Sequence, residues 1–163
     1  MVDINIELEV PSSLSSMPLW KYQKYMKIVE QNKGLENEEA IEFVNRKLIE
    51  IFCGVSLKDV MNIPMKSYNK ISTILSNAFQ EETPLVRTFE IEGVEFGFVP
   101  NLDGISYGEY VDIEKSLFDW QNIHVAMGAL YRPIIKKYDD KYRIEDYDAN
   151  DSYYELIKSM PLN

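Results

Sequence analysis

The sequence is poor in cross-linking and metal-binding chemistry. Its 163 residues hold one cysteine, Cys53, and one histidine, His124. A lone thiol cannot close an intrachain disulfide, and one Cys with one His cannot build the usual four-ligand zinc cage. Long apolar runs are missing as well. The longest nearly unbroken one, Ile123 to Tyr131, contains His124 and is about half the length a membrane-spanning helix needs. No Gly-rich loop of the phosphate-cradling kind is present. The opening Met1-Val2-Asp3 lacks the basic stretch and apolar run of a secretory signal. The expectation is a chain made in a cytosol and soluble there, with no membrane association, no cofactor and no metal. Basic residues are also in deficit, with 17 Lys and Arg against 27 Asp and Glu and a formal net charge of −10.

What is present reads as globular. Hydrophobic residues make up 45% and charged residues 27%, and the length suits one domain over 1–163. Residues 1–80 carry 9 basic and 10 acidic groups, whereas residues 81–163 carry 8 and 17. Nine carboxylates and a single base, Arg87, lie between Glu81 and Glu114. A nucleic-acid backbone is repelled by such a surface, which suits a basic partner or simple solubility instead. Trp20 to Lys27 interleaves bases with aromatics, but Lys21, Lys24 and Lys27 form a helical stripe away from Tyr22 and Met26. That is an amphipathic helix showing its charges, and no specific nucleic acid is expected.

Periodicity gives the elements. Val2 to Val10 alternates apolar and polar, which is the pattern of a half-buried strand ended by Pro11. Leu19, Tyr22, Met26 and Val29 follow helical spacing up to a stop at Gly34. Asn37 caps a second helix whose stripe is Ile41, Val44, Leu48, Ile51 and Phe52, closed by Gly54. Ser56 with Asp59 opens a short turn, and Tyr68, Ile71, Leu75 and Ala78 mark a third long helix. From residue 85 the character changes. Phe89–Ile91 and Val94–Phe98 flank Glu92-Gly93, a tight hairpin turn. Ser106 and Glu109 form a capping box for a helix to about Phe118. Asp119 is expected to cap a helix through Tyr131, stopped by Arg132-Pro133. A second hairpin spans Ile134 to Ile144 with its turn at Asp139-Asp140, and Ser152 with Glu155 caps a last short helix. The predicted class is α+β: a helical core with an N-terminal strand and two β-hairpins, residues 1–84 mainly helical and 85–163 a hairpin-and-helix half.

Three short patterns carry possible chemistry. Gly104-Ile105-Ser106-Tyr107-Gly108 matches the hydrolase nucleophile elbow, with His124 as the one available base. A polar loop separates Ser106 from the preceding strand, and a capping role explains the same letters. Ser67-Tyr68-Asn69-Lys70 fits the Ser-x-x-Lys pattern without its companion Lys-Thr-Gly, so a helix surface is the better reading. Asp146-x-Asp148-x-Asn150 opens like a calcium loop, but Asp151 stands where the turn Gly belongs and Ile157 where the bidentate Glu belongs. Neither catalytic nor metal residues are therefore assigned. Cys53 reads as a small buried hydrophobe and His124 as a packed histidine. Eight of the eleven tyrosines lie from Tyr107 onward, in the acidic half, and Tyr is enriched at protein interfaces.

Two stretches carry a family resemblance. Phe96 to Asp112, with its Pro100, Leu102, Asp103, Ser106, Gly108-Glu109-Tyr110 and Asp112, is similar to a signature in small virion proteins of tailed bacteriophages, in particular the crAss-like phages. Ala129-Leu130-Tyr131-Arg132-Pro133-Ile134, followed by Tyr142-Arg143-Ile144-Glu145-Asp146-Tyr147, resembles its companion element. The resemblance covers roughly residues 85–147. It implies a non-enzymatic structural or cargo protein, present in several copies inside the capsid or tail and released with the genome. Its implied partners are portal, ring, tail or capsid components. The candidate interface is Tyr107, Glu109, Tyr110, Tyr131, Arg132, Tyr142 and Tyr147. A tail-assembly chaperone or connector component is the second expectation, and a small serine hydrolase using Ser106 and His124 the third.

Overall fold

Where the sequence signals are local, the computed structural model, which describes residues 7–149 and 153–163, follows them closely. Helix α1 spans Leu19–Gln31. Pro18, just before it, brings no capping group; Leu19 and Trp20 donate their N–H groups to the carbonyls of Met160 and Lys158, both at 2.8 Å, so residues near the C-terminus satisfy orphan donors. Helix α2, Glu38–Cys53, is capped by Asn37, which accepts from the Ala40 N–H, and ends at Gly54 in the left-handed conformation. Ser56 caps α3, Leu57–Met61, by accepting from the Asp59 N–H, and α4 covers Met65–Phe79. The fold is α+β, with seven α-helices and one four-stranded antiparallel sheet among the described residues.

The chain gathers into two compact units, residues up to Met17 with Lys24–Glu82, and Pro18–Gln23 with Thr83–Asn163. In the first unit the core is built by Leu48, Ile49 and Phe52 of α2 with Ile71, Leu75 and Ala78 of α4. Phe52 meets Phe79 edge to face at 5.2 Å, and Tyr25 stacks on Phe79 at 6.4 Å. The α2 stripe differs from expectation at one end: Ile41 is exposed and Ile49 is fully buried. In the first turn it is Ala40 that is buried, so its neighbour Ile41, about 100° further round the helix, meets solvent. Cys53 is half-buried at the end of α2.

The second unit holds the sheet, ordered β1-β2-β3-β4. Strands β1 (Thr88–Ile91) and β2 (Val94–Phe98) form the expected hairpin. Its turn residues Glu92 and Gly93 both take positive φ, 50° and 78°, the geometry that matches strand twist in a two-residue turn. Between β2 and β3 the chain makes α5 (Tyr107–Ser116) and α6 (Ile123–Leu130). Strand β3 (Tyr131–Tyr138) pairs with both β2 and β4 (Lys141–Ile144), with a bulge between Ile134 and Lys136. Helix α7 is Tyr154–Ile157. On β2, Val94, Phe96 and Phe98 face the core, where Phe96 is fully buried. Burial of one such ring contributes roughly 2 kcal/mol. Phe89 stacks on Phe96 at 5.6 Å, and Tyr131 meets Phe89 at 5.0 Å and Phe98 at 5.2 Å, an aromatic ladder across three strands.

Several boundaries differ from the sequence reading. Glu7–Val10 form no strand, and the rest of the expected Val2–Val10 strand lies outside the described residues. Alternation shows which face of a strand is buried, but a strand also needs a neighbour to pair with. The second hairpin begins at Tyr131, three residues early. Pro133 biases Arg132 toward an extended backbone, so the residue pattern that ends α6 also starts β3. Asp119 caps no helix directly. Its carboxylate accepts from the Gln121 N–H at 3.0 Å and the Asn122 side chain at 2.6 Å, closing a turn four residues before α6. Ser152, the expected last cap, lies outside the described residues. Among the described residues no helix is long and apolar enough to cross a membrane.

Candidate functional site

Four of the seven residues singled out from the sequence meet around one open groove of about 460 Å³ in the second unit. Glu109, Arg132, Tyr142 and Tyr147 line it, brought there by α5, β3, β4 and the segment after β4.

Glu109 is the hub. The capping box that starts α5 is complete: Ser106 Oγ accepts from the Glu109 N–H at 3.3 Å, and Glu109 Oε2 accepts from the Ser106 N–H at 2.5 Å. Its other oxygen pairs with Arg132 Nη1 at 2.7 Å, and both side chains are largely buried. Burial pushes the Glu109 carboxyl upward, but the bonds from Ser106 and the Arg132 guanidinium outweigh it and hold the group below the ordinary carboxylate range. Arg132 in turn lies over the Tyr147 ring, 5.9 Å from its centre. The Tyr147 hydroxyl donates to Asp112 Oδ2 on α5. Burial first, and then the bond to the Asp112 carboxylate, raise the Tyr147 phenol far above its ordinary value. The chain Ser106–Glu109–Arg132–Tyr147–Asp112 therefore fastens three elements to one another through a capping box, an ion pair, a cation–π contact and a carboxylate hydrogen bond.

Tyr131 and Tyr142 are tied in by their hydroxyls. Tyr131 is in the core and donates to the Val86 carbonyl at 2.7 Å. Tyr142 donates to the Phe98 carbonyl at 2.7 Å. Burial raises both phenols, and for Tyr131 the neighbouring Tyr142 adds to the rise. The Tyr142 ring lies against β2 at Gly97, where a Cβ would sit 2.4 Å from the ring edge. Tyr107 and Tyr110 take the opposite course. They project from the outer face of α5, with Tyr107 83% exposed.

Ser106 and His124 have separate partners. His124 Nδ1 lies 3.0 Å from Gln23 Nε2, which has only protons to offer, so Nδ1 accepts and the ring proton sits on Nε2. Burial, with Lys158 nearby, lowers the imidazole below its ordinary value against the opposing pull of Glu155 and Asp119. No hydrogen bond among the described residues joins it to Ser106, whose hydroxyl caps α5. Of the calcium-like pattern, Asn150 and Asp151 lie outside the described residues, and Ile157, at the position of the bidentate Glu, is fully buried in the core. Among the described residues no group of three or more His, Cys, Asp or Glu could hold a metal ion.

Two participants escaped the sequence reading. Asp112 stands in the sequence only as the last residue of the Phe96–Asp112 stretch, and its pairing with Tyr147, 35 residues away, has no local signal. Phe118 was noted only as a helix end, yet it is 91% exposed. Its spacing of eleven from Tyr107, three helical turns, was the available signal. Comparison with known proteins gives no match to a family, to a curated protein or to a solved structure.

Proposed function

We propose that this protein is a non-enzymatic, multi-copy component of a tailed-phage particle, a structural or cargo protein that works by binding other particle proteins. The phage assignment rests on the two sequence stretches within 85–147. The observation that best supports a binding role is how those stretches divide their side chains. Ser106, Glu109, Asp112, Arg132 and Tyr147 bond to one another, while Tyr107 and Tyr110 face outward. Residues spent on holding α5 to the sheet are not poised for bond-making, and exposed aromatics offer large contact area at little entropic cost.

Mass spectrometry of purified particles of the source phage tests the reading. Peptides of this chain at several copies per particle are the expected result. Its absence from particles, with presence in infected cells, replaces the reading with an assembly chaperone. Ester hydrolysis by the purified wild-type chain that disappears in Ser106→Ala overturns the non-enzymatic part.

A further inference from the structure

Helix α5 is built inside out. Its buried residues are polar, Glu109 and Ser116, and its large aromatic residues point to solvent. At about 100° per residue, Tyr107, Tyr110, Val111, Glu114 and Phe118 fall on one side of the helix and its continuing turn, opposite Glu109 and Ser116. Tyr107 is 83% exposed, Tyr110 50% and Phe118 91%. Isolated exposed apolar residues are ordinary, but three exposed aromatics aligned on one side of a helix and the turn that continues it make a surface of the kind that marks a contact site. The face cannot be moved inward by a small rotation. Glu109 on the far side is fixed to Ser106 and Arg132, and Asp112 is fixed to Tyr147.

The charge around this face selects the occupant. Glu114 lies within the aromatic stripe, Asp103 precedes it and Asp119 follows it, and all three are exposed. Lys115 is the one basic residue of α5. A second copy of the acidic unit would bring like charge against like charge, and a nucleic-acid backbone would do the same. We infer that the outer face of α5 is a docking surface for a basic protein segment, one whose apolar anchor residue lies between Tyr107 and Phe118 while flanking Lys or Arg side chains meet Glu114, Asp103 and Asp119. This deepens the binding role proposed above and rests on it, but it does not depend on the phage assignment.

The test uses the purified full chain and an array of synthetic twelve-residue peptides. Each peptide carries one Leu or Trp flanked by Lys and Arg, and each has a counterpart flanked by Asp and Glu. The expected result is binding to the basic peptides at least about tenfold tighter than to their acidic counterparts, weakening with added salt. Phe118→Ser and Tyr107→Ser, both at exposed positions, should each weaken binding several-fold with an unchanged melting temperature. Equal binding of the two peptide sets, no binding to either, or binding untouched by Phe118→Ser overturns the inference. So does a concentration-dependent dimer in sedimentation that Phe118→Ser dissolves, since the face would then belong to a second copy. The array outcome is independent of particle mass spectrometry, so failure of one assignment is told apart from failure of the other.

Discussion

At the scale of single residues, Glu109 concentrates the unusual electrostatics. Its carboxyl is held below the ordinary value of 4.5, so as pH falls the unfolded chain takes up the proton first. The stability it contributes is complete above the ordinary carboxylate range and is lost as pH falls toward the folded value. Glu109→Gln should therefore lower stability at pH 7 by about 3 kcal/mol, because Arg132 is left buried without its counter-charge. The same substitution should flatten the acid limb of a denaturant-midpoint profile. An acid limb as steep as that of the wild type would contradict the assignment. Tyr147 has the opposite sign. Its phenol is raised above the ordinary 10.0, so its contribution is whole below that pH and is lost as the unfolded chain ionises above it. Tyr147→Phe should cost about 1 kcal/mol at neutral pH through the lost bond to Asp112 and reduce the alkaline destabilisation measured above pH 10. Ser106→Ala removes only the cap acceptor and should cost about 1 kcal/mol, read as a lower urea midpoint; an unchanged midpoint would refute the capping role.

At the scale of elements, β2 carries a constraint that its hydrophobic pattern does not announce. Gly97 leaves room for the Tyr142 ring, whose hydroxyl reaches the Phe98 carbonyl. Gly97→Ala should destabilise by about 2 kcal/mol, since the added methyl overlaps a ring held by its own hydrogen bond. Combined with Tyr142→Ala, which removes the ring, the loss should be smaller than the sum of the two single losses, and a chemical-denaturation cycle measures the difference. Strict additivity would show that ring and glycine do not meet. Such a contact is invisible in the sequence because its partners are 45 positions apart. The elements that were legible were those written in adjacent residues: the Ser106–Glu109 box, the Asn37 and Gly54 ends of α2, and the Glu92-Gly93 turn. The start of β3 at Tyr131 is not legible, because a proline constrains the residue before it without saying which element that residue joins. Likewise, Glu109, Arg132 and Tyr147 could be picked out as polar and aromatic, but their pairing with one another and with Asp112 depends on β3 lying beside β2, which no local pattern encodes.

At the scale of the whole molecule, the sequence carries a net charge of −10, with most of the excess acid in residues 81–163, the part that also carries the outward aromatics of α5. A surface that pairs apolar contact area with like charge discourages self-association while leaving a complementary partner free to bind. The central claim is that this chain works by presenting that face to other proteins of a particle. Amine cross-linking of intact purified particles, read by mass spectrometry, tests it most directly, because Lys115 adjoins the Tyr107–Phe118 stripe. The account predicts cross-links from Lys115 to lysines in a basic segment of a different particle protein. Cross-links from Lys115 confined to this chain and its own copies, or a particle that lacks the chain altogether, would contradict it.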